Sequence, residues 1–150
     1  MSKKAHIEAL RNVWLFERCS TKELTTLAAN VTKVSVPAGK VLAKEGDYGR
    51  EFFVLVSGKV EASRGGLAVR TLGSGSFFGE MALLDRQPRT ATVTATEPSE
   101  VLVLTTQSFT SVIETMPSVD RKMLTVLAER LRDIESRYVP TDERILGNDI

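Results

Sequence analysis

This chain is poor in the residues that usually do chemistry, holding one histidine and one cysteine among 150 residues. A metalloenzyme built on a small β-structure needs several histidines converging on one ion, and His6 alone cannot supply them. A Ser-His-Asp or Cys-His set would have to use the same His6, which falls in a surface helix of the pattern, so no catalytic residue and no metal site is expected. Cys19 has no partner for an internal disulfide, agrees with a reducing compartment, and reads as a small, partly buried apolar residue. Charge of one sign is lacking too. With 20 basic against 19 acidic residues and no Lys/Arg stripe, nucleic acid is not expected as a direct partner. Apolar runs are too short to cross a membrane, and MSKKAHIEAL has no apolar core that a secretory signal would need. A single cytoplasmic domain is the expectation.

What the chain does have is a change of period. Within residues 1–32, Ile7, Leu10, Val13 and Trp14 follow a helical spacing over 3–16, with Trp14 and Phe16 as core or docking residues. Ser20 or Thr21 then starts a second helix, with Glu23 completing a capping box on Ser20. Over residues 33–105 the period becomes two. Short β-rich runs are separated by Pro37-Ala38-Gly39, Gly46-Asp47-Tyr48-Gly49, Ser57-Gly58 and Gly65-Gly66, which reads as an antiparallel sandwich or roll. Phe52 to Val56 are apolar on both faces, as in a strand covered on each side. The fold class is therefore mainly β, a jelly-roll-like β-roll with N-terminal helices and a long C-terminal helix. Residues 106–138 hold a short helix over Thr106–Thr115 and a longer one that opens at Pro117. Its Leu124, Leu127, Leu131, Ile134 and Tyr138 stripe suits either a homodimer seam or docking on the chain's own β-roll. Residues 139–150 form a polar tail.

The roll is interrupted by residues 73–95, GSGSFFGEMALLDRQPRTATVTA. Gly79 can cap a short helix over Glu80, Met81 and Ala82, whose first-turn amides lack intrahelical partners and can hold an anion. Gly73, Gly75 and Gly79 allow close backbone approach, and Arg89 can bring a guanidinium fork to the same anion. Glu80 would repel that anion unless it accepts hydrogen bonds from another part of the ligand, and a sugar hydroxyl is the natural donor. A phosphate joined to a ribose is a nucleotide.

FGEMALL followed by PRTATV resembles the phosphate-binding cassette of the cyclic nucleotide-binding domain family, found in bacterial catabolite activators and regulatory subunits of cAMP-dependent kinase. PxGxVLxxEGDxGxxFFVLxSGxV is similar to the family's first half, so the resemblance runs from about Leu24 to Arg132. It implies a ligand, cAMP or cGMP, and no cofactor. Phe78, Gly79, Glu80, Met81, Ala82, Arg89, Thr90 and Ala91 would line the site. Gly79 and Ala82 would give amides, Glu80 would take the ribose 2′-hydroxyl, Arg89 the exocyclic phosphate oxygen, and Thr90 the phosphate or the base. Leu131, Arg132 and Tyr138 are the candidates to cap the purine. The resemblance also implies that ligand moves the C-terminal helices and so signals to an unidentified downstream protein, with cAMP the tighter ligand. Arg89 serves ligand and not core in this reading, so its loss should leave apo stability nearly unchanged. The competing readings are a scaffold that ignores nucleotide and an enzyme acting on cyclic nucleotides, which would lack metal ligands.

Overall fold

The period-two runs form two four-stranded antiparallel sheets in a computed structural model, which describes residues 3–137. In spatial order, one sheet holds β1 (Thr32–Val36), β8 (Ser99–Thr105), β3 (Glu51–Ser57) and β6 (Phe77–Phe78). The other holds β2 (Val41–Ala43), β7 (Thr92–Ala95), β4 (Val60–Arg64) and β5 (Leu67–Leu72). This is the expected antiparallel β-roll with flanking helices.

β3 explains why two cores form. Successive side chains of a strand point to opposite faces, so Phe53 and Leu55 enter the space between the sheets with Val60, Phe78, Val93, Ala95 and Val101. Phe53 stacks on Phe78 there with ring centroids 4.8 Å apart. Phe52 and Val54 face the other way and pack under the helices, Phe52 against Phe109 at 4.9 Å. The unbroken apolar run of β3 is thus the signature of a strand with a core on each side.

The helices are α1 (Lys3–Arg11), α2 (Thr21–Ala28), α3 (Glu80–Asp85), α4 (Thr106–Thr115) and α5 (Pro117–Arg137). Ser20 caps α2 as a capping box: Glu23 N donates to Ser20 Oγ at 3.0 Å and Ser20 N to Glu23 Oε1 at 2.9 Å. The helix expected over 3–16 breaks instead. Val13 is extended, and Trp14–Phe16 form a separate 3-10 turn. A continuous helix would point Leu10 and Leu15 to different sides at 100° per residue, whereas the break buries both together with Phe16.

α5 docks by a face other than the leucine stripe. Met116, Val119 and Met123 enter the helical core with Leu10, Leu15 and Phe16, while Leu124 is 63% and Leu131 61% exposed. The expectation that this stripe lies on the chain's own β-roll is therefore corrected at these positions. Lys122, beside the buried face, explains the choice. Its ammonium donates to the Trp14 carbonyl, pairs with Glu17 at 2.8 Å and lies 4.6 Å from the Trp14 ring centroid. Tyr138 and the tail 139–150 lie outside the described residues.

Candidate functional site

The loop from β2 to β3, the turn from β6 into α3 and the approach to β7 meet around one side chain, Arg89. Pairing across the two loops fixes its backbone: Arg89 N donates to Asp47 O at 2.7 Å, Gly46 N donates to Arg89 O at 2.9 Å, and Tyr48 bridges Pro88. The guanidinium then folds inward, Nη1 donating to Gly79 O at 3.0 Å and Nη2 to Glu51 O at 2.7 Å. It is nearly buried and lies 5.9 Å from the Phe53 ring centroid. Burial lowers its pKa from the ordinary arginine value, opposed by the nearby Glu51 and Glu80 carboxylates. Five N–H donors belong to a guanidinium, so the two bonds to carbonyls leave others for an anion.

Two glycines are required by this arrangement. A Cβ on Gly49 would stand 2.6 Å from Arg89 Cζ, and one on Gly79 would stand 2.6 Å from Arg89 Nη1 and 2.9 Å from Glu51 O. Gly79 also takes φ 95°, left-handed backbone that other residues adopt with strain. As N-cap of α3 it carries no side-chain cap. α3 has six residues, so it brings a first turn of amides and little macrodipole. Gly49 and the Glu51 carbonyl belong to the site although sequence reasoning did not single them out. The EGDYG turn before β3 was the available signal.

The other named residues divide. Glu80 and Ala82 are buried beside Arg89's loop, Thr90 and Met81 are exposed, and Ala91 is half-buried. Phe78 is corrected as a lining side chain: its ring belongs to the core between the sheets. Thr90 O accepts from Arg64 Nε at 3.0 Å, tying the cassette to β4. Leu83 of α3 enters the same cluster as Met116, which ends α4, and Val119 and Met123 of α5.

Glu80 adds an ion pair between the cassette and α5. Its side chain is 1% exposed, and its Oε1 makes an ion pair with Arg130 Nη1. That oxygen has no hydrogen bond of adequate geometry among the described residues, so the contact is electrostatic and acceptor capacity remains. Leu131 and Arg132, expected against a ligand, are exposed here; Arg130 is the α5 residue that pairs with Glu80 of the cassette. Among the described residues no cluster of three or more His, Cys, Asp or Glu could hold a metal, and no helix is long and apolar enough to cross a membrane.

The profile of the family described as "cyclic nucleotide-binding domain" matches residues 33–116. A cyclic AMP receptor protein of Thermus thermophilus is 32% identical over 126 residues, covering 81% of this chain and 58% of its own length. A cGMP-dependent protein kinase of Toxoplasma gondii is 38% identical over 88 residues, 59% of this chain and 9% of the kinase. Among solved structures, cAMP-bound PfPKA-R superposes with a TM-score of 0.80 at 28% identity, covering 93% of this chain and 49% of that one. The chain thus spans 58% or less of the length of each of these three.

Proposed function

The chain belongs to the cyclic nucleotide-binding domain family, and we propose that it works as a regulatory module whose cassette seats a cyclic nucleotide and reports it to α5. Arg89 and the amides of Gly79 and Ala82 take the cyclic phosphate, and Glu80 takes the ribose 2′-hydroxyl. Thr90 stands at the exposed edge, where its hydroxyl reaches phosphate or base. One observation carries the coupling: the buried carboxylate of the cassette is neutralised from α5, by Arg130. A carboxylate shut away from water needs a partner, so whatever binds Glu80 affects how α5 is held.

cAMP is the proposed tighter ligand, with modest discrimination, because phosphate and ribose contacts are common to both nucleotides. A second reading, cGMP, is favoured by the 38% identity over 88 residues to a cGMP-dependent protein kinase of Toxoplasma gondii. The exposed Leu124 and Leu131 flank is proposed as a self-association surface, and buried, free Cys19 fits a reducing cytoplasm. Calorimetric titration with cAMP and cGMP in competition tests the reading. Saturable one-site binding of either supports it, tighter cGMP favours the second reading, and no heat from either leaves only a scaffold that ignores nucleotide.

A further inference from the structure

Thr90 lies where the sheet no longer holds the chain. The ladder between β4 and β7 runs from Val60 opposite Ala95 to Ser63 opposite Thr92 and stops there, so Thr90 and Ala91, between Arg89 and β7, belong to no strand. Two hydrogen bonds take over. Gly46 N donates to Arg89 O at 2.9 Å, which fixes the peptide before Thr90, and Arg64 Nε donates to Thr90 O at 3.0 Å, which fixes the peptide after it. With both flanking peptides held, φ and ψ of Thr90 are set, and a β-branched side chain on a set backbone has a restricted χ1. The direction of its hydroxyl follows.

These two bonds differ in kind. The one to Arg89 O comes from a backbone amide that a side-chain replacement leaves in place, whereas the one to Thr90 O comes from a side chain and can be removed alone. Arg64 is well placed to give it. It ends β4 at a turn over Gly65 and Gly66, with φ of 59° and 82°, the paired left-handed values of a tight hairpin. Glu45 then ties this turn to the strand that Thr90 enters, its Oε1 accepting from Gly65 N at 2.9 Å and its N donating to Thr92 Oγ1 at 3.0 Å. The Thr90 hydroxyl itself is exposed and has no hydrogen-bond partner among the described residues.

We propose that Arg64 is a positioning residue of the nucleotide site: its Nε bond to the Thr90 carbonyl aims the Thr90 hydroxyl at the ligand, and Arg64 acts through Thr90 and not by its own charge on the phosphate. This rests on the reading of the cassette as a cyclic-nucleotide site. It holds whether the hydroxyl meets phosphate or base.

The test is a double-mutant cycle read by calorimetry with cAMP and with cGMP, on wild type, Arg64→Ala, Thr90→Ala and the two combined. Thr90→Ala should weaken the ligand whose group its hydroxyl meets by about three- to twelvefold, the loss of one neutral hydrogen bond. Arg64→Ala should weaken the same ligand by at least about threefold while Thr90 is present and by less than about 1.5-fold once Thr90 is alanine, since residues acting through one another do not add. Arg64→Gln separates the bond from the charge. Glutamine Nε2 stands as many bonds from the backbone as arginine Nε, so it donates to Thr90 O with no cation present, and affinity should return to within about 1.5-fold of wild type. Losses that add in the cycle, an Arg64→Gln as weak as Arg64→Ala, or a Thr90→Ala that binds both nucleotides like wild type would each overturn the proposal and leave the nucleotide site standing. No binding of either nucleotide by wild-type protein removes the site, and the proposal with it. Apo melting of Arg64→Ala should stay within about 2 °C of wild type, because one exposed hydrogen bond is lost. Should that variant fold poorly, Arg64→Met, which keeps the stem without a donor, takes its place in the cycle.

Discussion

Replacing Arg89 by Ala should damage the unliganded fold as well as the ligand site. The guanidinium is 9% exposed and joins α3's cap to β3 through Gly79 O and Glu51 O. Hydrogen bonds to a charged group are worth about 1.5–3 kcal/mol each. Against them stands the desolvation of the guanidinium, visible in its lowered pKa, which alanine would remove. A net loss of about 2–4 kcal/mol follows. For a chain of this size, each kcal/mol moves the melting temperature by about 2–4 °C, so a fall of about 4–16 °C is expected in apo protein followed by circular dichroism. This overturns the expectation that Arg89 serves ligand alone. Binding should also weaken, by about 2–5 kcal/mol or roughly thirtyfold to several-thousandfold, because a phosphate is left without its charge-assisted partner. Arg89→Lys should recover part of the affinity but little of the melting loss, since an ammonium lacks the fork that spans both carbonyls. Apo melting within about 1 °C of wild type would refute the structural role; affinity within about threefold would refute the phosphate role.

Gly79→Ala should lower apo stability by about 1–3 kcal/mol in chemical denaturation, from left-handed strain and a Cβ 2.6 Å from Arg89 Nη1. Gly73→Ala, whose added Cβ meets nothing within 4 Å, should be nearly silent in the same assay. Lys122→Met should cost about 1–3 kcal/mol by losing the Trp14 carbonyl and ring contacts and the Glu17 pair, and should shift the fluorescence of the single tryptophan. The Cys19 thiol is pushed above its ordinary 9.0, chiefly by burial. The unfolded thiol therefore ionises first, so this contribution is intact below about pH 9 and is lost as pH rises through the folded value. Cys19→Ser should abolish that part of the alkaline fall in denaturation curves. Leu124→Glu with Leu131→Glu, both on the exposed flank, should convert any dimer seen by sedimentation into folded monomer, and a dimer that persists would locate the interface elsewhere.

The parts of this fold legible in the sequence are those whose physics is local. Alternation exposed the long strands, Ser20 and Glu23 marked a helix start by their spacing, and Pro117 opened α5 where a missing N–H does no harm. β6 escaped because two residues, Phe77 and Phe78, have no period to read. The docked face of α5 escaped for another reason. Leu124, Leu127 and Leu131 attract notice as leucines, but Met116, Val119 and Met123 hold an equally regular spacing about a quarter-turn away. What decides between the faces is Lys122 meeting a carbonyl and a ring on the Trp14 turn, a contact between distant parts of the chain that no window of sequence contains.

The site shows the same division between residue types and partners. Glu80 and Arg89 can be picked out because a carboxylate and a guanidinium near one glycine turn pose an electrostatic problem that a nucleotide would solve. The sequence poses it without saying which groups of the chain itself these two side chains meet. For Arg89 the answer is two backbone carbonyls of its own roll, and for Glu80 it is Arg130, from the far side of β7, β8 and α4. These partners differ in where they are anchored: the carbonyls belong to β3 and to the cap of α3, which carry the site, whereas Arg130 rides on α5, which is fastened elsewhere, by Lys122 to Trp14 and Glu17.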